Sequence, residues 1–176
     1  MAELQRTPLH DFHTTHGGRM VDFAGWDMPV RYKSILEEHK AVRTTAGLFD
    51  VSHMGEVDVV GPGAEAFLNQ LVTNDVTTLY PGRVLYSPMC RPDGGVVGDL
   101  LVYMREPARY SLCINASNIA KDLAWRREPA LAYDVTRPDL YADYVVLAIP
   151  WSQAGTMLES MTGSKLTILG YHRFYV

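Results

Sequence analysis

The residue whose setting most invites chemistry is Asp99. It lies in the stretch Tyr86–Tyr103, YSPMCRPDGGVVGDLLVY, where Pro92-Asp93-Gly94-Gly95 separates the apolar runs Val84–Cys90 and Val96–Tyr103. Turn formers between two apolar runs predict a β-hairpin. A carboxylate inside such a strand costs free energy unless it is paired, solvated in a cleft or retained for chemistry. Two readings stay open. Asp99 is either an edge-strand carboxylate facing water or a group lining a cleft. Gly98 before it permits close backbone approach, and Leu100, Leu101 and Val102 after it argue for a buried strand.

Other chemical residues carry less. Ser52-His53-Met54-Gly55-Glu56 offers Ser-x-His spacing with no third member, and one His with one Glu is too few ligands for a metal, so no metal site is expected. His53 reads as a packed loop histidine or a cleft contact. Tyr86, Tyr103 and Trp26 are able to stack on a flat heteroaromatic ligand, though any one such aromatic is more often ordinary core. Asn115 ends a predicted strand with a donor and an acceptor, which suits a pterin or purine edge. There is no GxGxxG following a strand, no P-loop and no Gly-x-Ser-x-Gly elbow.

The elements that must position these residues follow from pattern. The chain has 176 residues, 47% of them hydrophobic, enough for one domain or two small ones. A net charge of -4 with no basic stripe argues against nucleic acid. Cys90 and Cys113 lie in apolar runs without metal spacing and read as buried free thiols of a reducing compartment. No apolar stretch has the roughly 20 residues of a membrane span, and the start lacks a signal-peptide core. A cytoplasmic protein, or one of the mitochondrial matrix, is expected.

The first fifty residues show turn formers but little periodicity. Ser34 with Glu37 predicts a capped helix to about Thr45, stopped by Gly47. From Met54 the pattern sharpens: a strand over 57–60, a helix over Ala64–Leu71, the two hairpin strands, a strand over Arg109–Asn115, a helix from Ser117 or Asn118 through Trp125 stopped before Pro129, and a strand over Leu131–Thr136. The predicted order is β-α-β-β-β-α-β. The fold class is α+β, an antiparallel sheet with two flanking helices inserted in a second, incomplete α/β unit. That second unit comprises residues 1–51 and 138–176, around a central subdomain at 52–137. In its later part, strands are expected over Tyr144–Ile149 and Leu166–Leu169, with a helix opening at Pro150-Trp151.

Several motifs together strongly resemble the N-terminal half of the aminomethyltransferase family, the T-proteins of the glycine cleavage system. They are Met20-Val-Asp-Phe-Ala-Gly-Trp-Asp-Met-Pro29, Gly47-Leu-Phe-Asp-Val-Ser-His-Met-Gly55, Thr73-Asn-Asp-Val76, Tyr86-Ser-Pro-Met-Cys90, Gly94-Gly-Val-Val-Gly-Asp-Leu100 and Ile114-Asn-Ala-Ser-Asn118 with Lys121-Asp122. The resemblance runs from about Arg6 to Trp125 and weakens beyond. It implies tetrahydrofolate as co-substrate and, as partner, the lipoylated H-protein, whose lipoyl arm carries an aminomethyl group. Ammonia is released, and the carbon passes to tetrahydrofolate as 5,10-methylenetetrahydrofolate. The second Asp of the family's Gly-Gly-x-x-Asp-Asp-Leu motif falls on Asp99, implied to be catalytic. Tyr86, Tyr103 and Asn115 match positions lining the family's folate cavity, Met54 with His53 lies in a loop near it, and His172 falls near an aromatic position of the same cavity.

The chain also departs from the family. The first Asp of the pair is Gly98, removing a neighbouring charge, and Pro150-Trp-Ser-Gln153 replaces an expected Gln-Gly-Pro. Family members continue well beyond this length into a C-terminal barrel-like domain that supplies an arginine, a glutamate and further aromatics. A fragment or truncated member is therefore expected. Two other readings use the same fold: a non-catalytic folate-binding or assembly protein, or a related folate-dependent demethylase. An unfinished sheet would also expose apolar surface that a homo-oligomer covers.

Overall fold

The computed structural model describes residues 3–130, 132–136, 144–150, 153–166 and 169–174. The chain divides into two compact units, Met1–His53 with Tyr144–Ile168, and Met54–Asp143 with Leu169–Val176.

The second unit holds the hairpin and most of the apolar core. Strands β4 (Gly55–Val60), β5 (Val84–Cys90), β6 (Val96–Glu106) and β7 (Arg109–Ile114) form one antiparallel sheet in the order β4-β7-β6-β5. Helix α3 (Ala64–Leu71) spans the range its periodicity predicts. Its buried residues Ala64, Phe67, Leu68 and Leu71 follow the i, i+3, i+4, i+7 spacing that puts them on one face. They join a core with Val57 and Val59 of β4, Leu112 and Ile114 of β7, Leu100 and Val102 of β6 and Met89 of β5. Side chains alternate along a strand, so this core claims one face of the sheet and leaves the other for polar groups. Helix α4 (Ile119–Ala130) follows a 3₁₀ turn at Ala116–Asn118, and its partly buried Ile119, Leu123 and Trp125 pack on the same core.

The α+β reading, with its antiparallel sheet and flanking helices, holds. Two details differ. Helix α4 runs to Ala130 rather than stopping before Pro129; a proline this near the end removes one backbone donor without breaking the preceding turns. The strand expected over 131–136 shrinks to a single bridge between Thr136 and Val60, with Leu131 outside the described residues.

The first unit is where pattern reading fell short. Helix α1 (His10–Thr15) is followed by a hairpin of β1 (Arg19–Phe23) and β2 (Trp26–Arg31), neither of which was expected. The turn is the tight Ala24-Gly25 pair, both with positive φ (53° and 88°), and Asp22 Oδ1 accepts from Gly25 N at 2.9 Å. A left-handed alanine carries no sequence signal, which explains the miss. Gly25 has open space around it, so Gly25→Ala costs conformational strain alone, about 1 kcal/mol. A urea midpoint unchanged by that substitution would contradict this account of the turn.

Helix α2 (Ile35–Thr44) begins where predicted, with the Ser34 hydroxyl accepting from Glu37 N. Strand β3 (Phe49–Asp50) pairs with β8 (Leu147–Ala148). That is all the structure keeps of the strand expected over Tyr144–Ile149. Helix α5 (Ala154–Thr162) starts later than Pro150-Trp151 suggested and ends at left-handed Gly163 (φ 71°); Trp151 lies outside the described residues. Of the strand expected over 166–169, residues 167 and 168 are outside the described set, and Leu166 and Leu169 carry no strand.

Candidate functional site

The sheet face turned away from α3 and α4 is a grid fixed by strand register. Glu56 pairs with Cys113, Cys113 with Leu101 and Leu101 with Tyr86, giving one row across all four strands. The next row is Asp58, Ser111, Tyr103 and Val84. Asp99 lies on the same face, two residues before Leu101 and opposite Pro88.

Asp99 is neither idle nor loose. Tyr86 Oη donates to its Oδ2 at 2.8 Å, and Asn115 Nδ2 donates to its Oδ1 at 2.8 Å and to its backbone O at 3.1 Å. Asn115 reaches it because β7 pairs with β6 as far as Ile114 and Leu100, leaving Asn115 one residue beyond the ladder. Asp99 is half-buried while Tyr86 is 50% exposed, so the carboxylate is positioned yet open to a ligand. The hydrogen bond and the charge of Asp99 hold the Tyr86 phenol above its ordinary pKa. The phenol therefore stays a donor.

The remaining expected residues divide. Met54 is half-buried and directly precedes Gly55, which pairs with Ile114; this brings it to the Asn115 end of the sheet. Tyr103 sits two residues along β6 from Leu101, and burial pushes its phenol up to about 12, with Cys113 and Glu56 adding to the shift. His172 is placed differently. Its backbone O accepts from Val84 N at 3.0 Å, while its exposed ring stacks on Tyr171 with centroids 4.0 Å apart. Phe174 is the residue of that segment that meets the site face, edge-on to Tyr103 at 5.4 Å. Phe174 lies two residues beyond His172, and nothing in the sequence marks it above that histidine.

The structure also relocates the family's missing carboxylate. Gly98 is buried and faces the helices, and a Cβ there would lie 3.0 Å from Asp122 Oδ2. The first Asp of the family's pair would thus point away from Asp99, because successive strand residues take opposite faces. The difference at Gly98 leaves the Asp99 face unchanged in side chains.

Sequence reasoning weighed Glu56 only as a metal ligand and missed Asp58, the second acidic group on β4. Burial raises the Glu56 pKa, and the charge of Asp58 raises it further, against a lowering hydrogen bond from Cys113. Burial, with Glu56 adding, pushes the Cys113 thiol up to about 12. Both cysteines are free, as expected, but half-buried rather than buried: Cys113 falls on the sheet face without helices, and Cys90 closes β5 just past a register shift. At pH 8 a thiol of pKa about 12 is a thiolate only about 10⁻⁴ of the time. Cys113 should therefore resist iodoacetamide for hours in the folded chain and react within minutes in urea. Fast labelling of Cys113 in the native chain, located by peptide mass, would contradict this. Asp58 is buried, accepting from Ser111 Oγ at 2.6 Å, with Arg109 Nη2 3.5 Å away.

In the first unit, His53 is buried, with Phe23 and Trp26 edge-on to its ring. Burial lowers its pKa, partly opposed by Asp50. Asp50 anchors a separate network. Its Oδ2 accepts from Thr7 Oγ1 at 2.6 Å and faces His13 Nε2 at 2.9 Å, and its Oδ1 accepts from Ser52 N at 2.9 Å. Among the described residues no three His, Cys, Asp or Glu side chains gather as metal ligands, and no helix is long and apolar enough to cross a membrane.

An antiparallel α+β sheet carrying a fixed carboxylate on its helix-free face defines the class of fold. Residues 9–175 match the family described as "GCVT N-terminal domain". The aminomethyltransferase of Moorella thermoacetica is 49% identical over 174 residues, 99% of this chain and 48% of its own length. That of Bacillus subtilis is 51% identical over 166 residues, 94% of this chain and 46% of its own. The crystal structure of the glycine cleavage system aminomethyltransferase T from Bartonella henselae superposes with a TM-score of 0.90 at 32% identity, over 97% of this chain and 46% of that one. The chain belongs to the aminomethyltransferase family of glycine cleavage T-proteins and spans about half the length of the relatives it matches.

Proposed function

We propose that this chain provides the folate-facing half of a tetrahydrofolate-dependent aminomethyltransferase, with Asp99 as its catalytic group. The observation that carries the proposal is the Asp99 carboxylate, held by Tyr86 and Asn115 on the open sheet face of a chain that belongs to this family. In the reaction, the carbon of an aminomethyl group on the lipoyl arm of an H-protein forms bonds to two tetrahydrofolate nitrogens as 5,10-methylenetetrahydrofolate, while its C–N bond to ammonia and its C–S bond to the arm break; the two N–H protons leave on ammonia and on the thiol of the dihydrolipoyl arm. An ionised carboxylate at this point accepts an N–H of the attacking amine and offsets the positive charge that grows on carbon as ammonia departs. Tyr86 and Asn115 take up both carboxylate oxygens by donating to them, which fixes their direction. Tyr86, Tyr103 and Met54 offer flat and apolar surface to a bicyclic ring, and we assign His172 to the outer wall.

The residues fit the co-substrate in kind: acceptor oxygen, amide and aromatic surface share one face. We read residues 1–51 with 138–176 as a first domain around 52–137, which differs from the two compact units in giving 169–174 to the first, and place the protein in the cytoplasm, in keeping with its bacterial relatives. Calorimetric titration with tetrahydrofolate tests the reading. The chain joined to the second half of the Bacillus subtilis relative should bind tetrahydrofolate and release ammonia from aminomethylated H-protein. Binding without release would favour a non-catalytic folate-binding protein, and release from N-methylated glycine instead would favour a demethylase. Absence of both binding and release would overturn the proposal.

A further inference from the structure

In the second unit, Tyr80 stands where two arginines meet. The turn Tyr80-Pro81-Gly82-Arg83 closes with Arg83 N donating to Tyr80 O at 2.9 Å, and Gly82 takes a φ of 88°; proline followed by a left-handed glycine makes a type II turn. The turn leads into β5 and is fixed to β6, with Gly82 N donating to Met104 O at 2.9 Å and Met104 N to Arg83 O at 3.1 Å. On its outer side Arg83 forms an antiparallel bridge with Arg173. Val84 N donates to His172 O on one side of that bridge and Phe174 N to Gly82 O on the other, both at 3.0 Å. Bonds flanking a facing pair mark the non-hydrogen-bonded position, where side chains stand closest. Both guanidiniums reach the same ring: Arg83 Cζ lies 5.7 Å and Arg173 Cζ 4.4 Å from the Tyr80 centroid.

Like charges facing each other destabilise a strand pair. The ring offsets part of that cost, and Arg83 Nη1 donates to Thr78 O at 2.7 Å. No carboxylate offsets the rest: among the described residues neither guanidinium forms an ion pair, although the chain has 20 Asp and Glu. Arg83 is half-buried and Arg173 exposed, so solvent reaches the pair. Successive strand residues take opposite faces, which turns Arg83 away from the face that Val84 shares with Tyr103 and Asp99. We propose that Arg83 and Arg173, set at the Tyr80 ring, form a binding site for a phosphate group, either free phosphate or the terminus of a phosphorylated small molecule. Charge and shape select the class. One guanidinium fork satisfies a carboxylate, whereas a tetrahedral dianion has oxygens for two forks and neutralises both charges. Binding removes the repulsion that the free chain carries. The site is separate from the Asp99 face and independent of the folate reading.

The test titrates the chain with inorganic phosphate at an ionic strength held constant with chloride, and follows the Nε–H signals of Arg83 and Arg173 by NMR. Both signals should shift and saturate, and the melting temperature should rise with phosphate. Arg83→Gln and Arg173→Gln should each weaken phosphate binding about tenfold, the worth of one charge-assisted hydrogen bond. Without phosphate, each variant should melt at the parent's temperature or above it, because one of two like charges is gone. Ribose 5-phosphate separates the sources: binding as tight as that of phosphate marks a phosphorylated small molecule as the ligand, and much weaker binding marks free phosphate. Signals that neither probe moves overturn the proposal, as does an equal response to added chloride, which is screening alone. Variants that bind phosphate like the parent also overturn it. So does a lowered melting temperature in both variants without phosphate, which would make the arginines a structural pair holding residues 172–174 to β5.

Discussion

Asp99→Asn is expected to lower ammonia release about 10²–10³-fold in the joined protein while shifting tetrahydrofolate affinity by less than about threefold. The substitution keeps size and strand geometry. An amide has one oxygen to accept with, so it satisfies either Tyr86 Oη or Asn115 Nδ2, now 2.8 Å from separate carboxylate oxygens, and turns its own NH₂ toward the other donor. The negative charge that would balance a growing cation is gone. Loss concentrated in turnover, with binding preserved, identifies a group acting on the transition state rather than on ground-state binding. Tyr86→Phe bears on the same point by a smaller amount. It leaves the charge and removes one donor, so release should fall only about three- to tenfold, the worth of one hydrogen bond. Equal losses from the two substitutions would mean that Asp99 serves only to hold the face together.

The hairpin around Asp99 was legible because each of its causes is local. Pro92-Asp93-Gly94-Gly95 supplies the turn, Gly94 takes a positive φ of 85°, and Val84–Cys90 and Val96–Tyr103 pair as their patterns suggest. Helix α3 was legible for the same reason, its apolar spacing coinciding with its buried face. The role of Gly98 was not, although the strand was. Motif position marked it as a neighbour of Asp99, and only the pleat shows that neighbours in sequence lie on opposite faces. Asp58 escaped notice, and Glu56 was weighed only as a metal ligand, because their setting depends on Ser111 and Cys113 opposite, more than fifty residues away and joined only by register. The first unit was least readable. Its stabilising contacts are polar and distant in sequence, with β3 and β8 nearly one hundred residues apart, and periodicity reports only apolar faces.

The network around Asp50 makes the second large effect. The Asp50 side chain is 1% exposed and that of His13 6%, so this carboxylate relies on the protein for its solvation. Being ionised it can only accept, which requires His13 Nε2 to carry a proton, and His13 Nδ1 in turn lies 2.6 Å from Tyr32 Oη. Burial works to raise the Asp50 pKa, but the bonds from Ser52, Thr7 and His13 outweigh it and hold the carboxyl below its usual value. A carboxyl depressed in the folded state contributes stability above its unfolded pKa of about 3.9. That contribution is lost as pH falls through the lower folded value. Asp50→Asn removes charge-assisted bonds worth about 1.5–3 kcal/mol each and leaves Thr7 and His13 competing for one acceptor. The expected cost at pH 7 is about 2–4 kcal/mol, falling on the first unit because every partner of Asp50 belongs to it. Hydrogen exchange should show the loss in α1 and the β1–β2 hairpin, with the sheet carrying Asp99 unaffected. The variant should also lose the part of the acid sensitivity below about pH 4 that Asp50 confers. A variant as stable as the parent at pH 7, with the same decline in acid, would show that Thr7, His13 and Tyr32 hold α1 to the hairpin without the carboxylate.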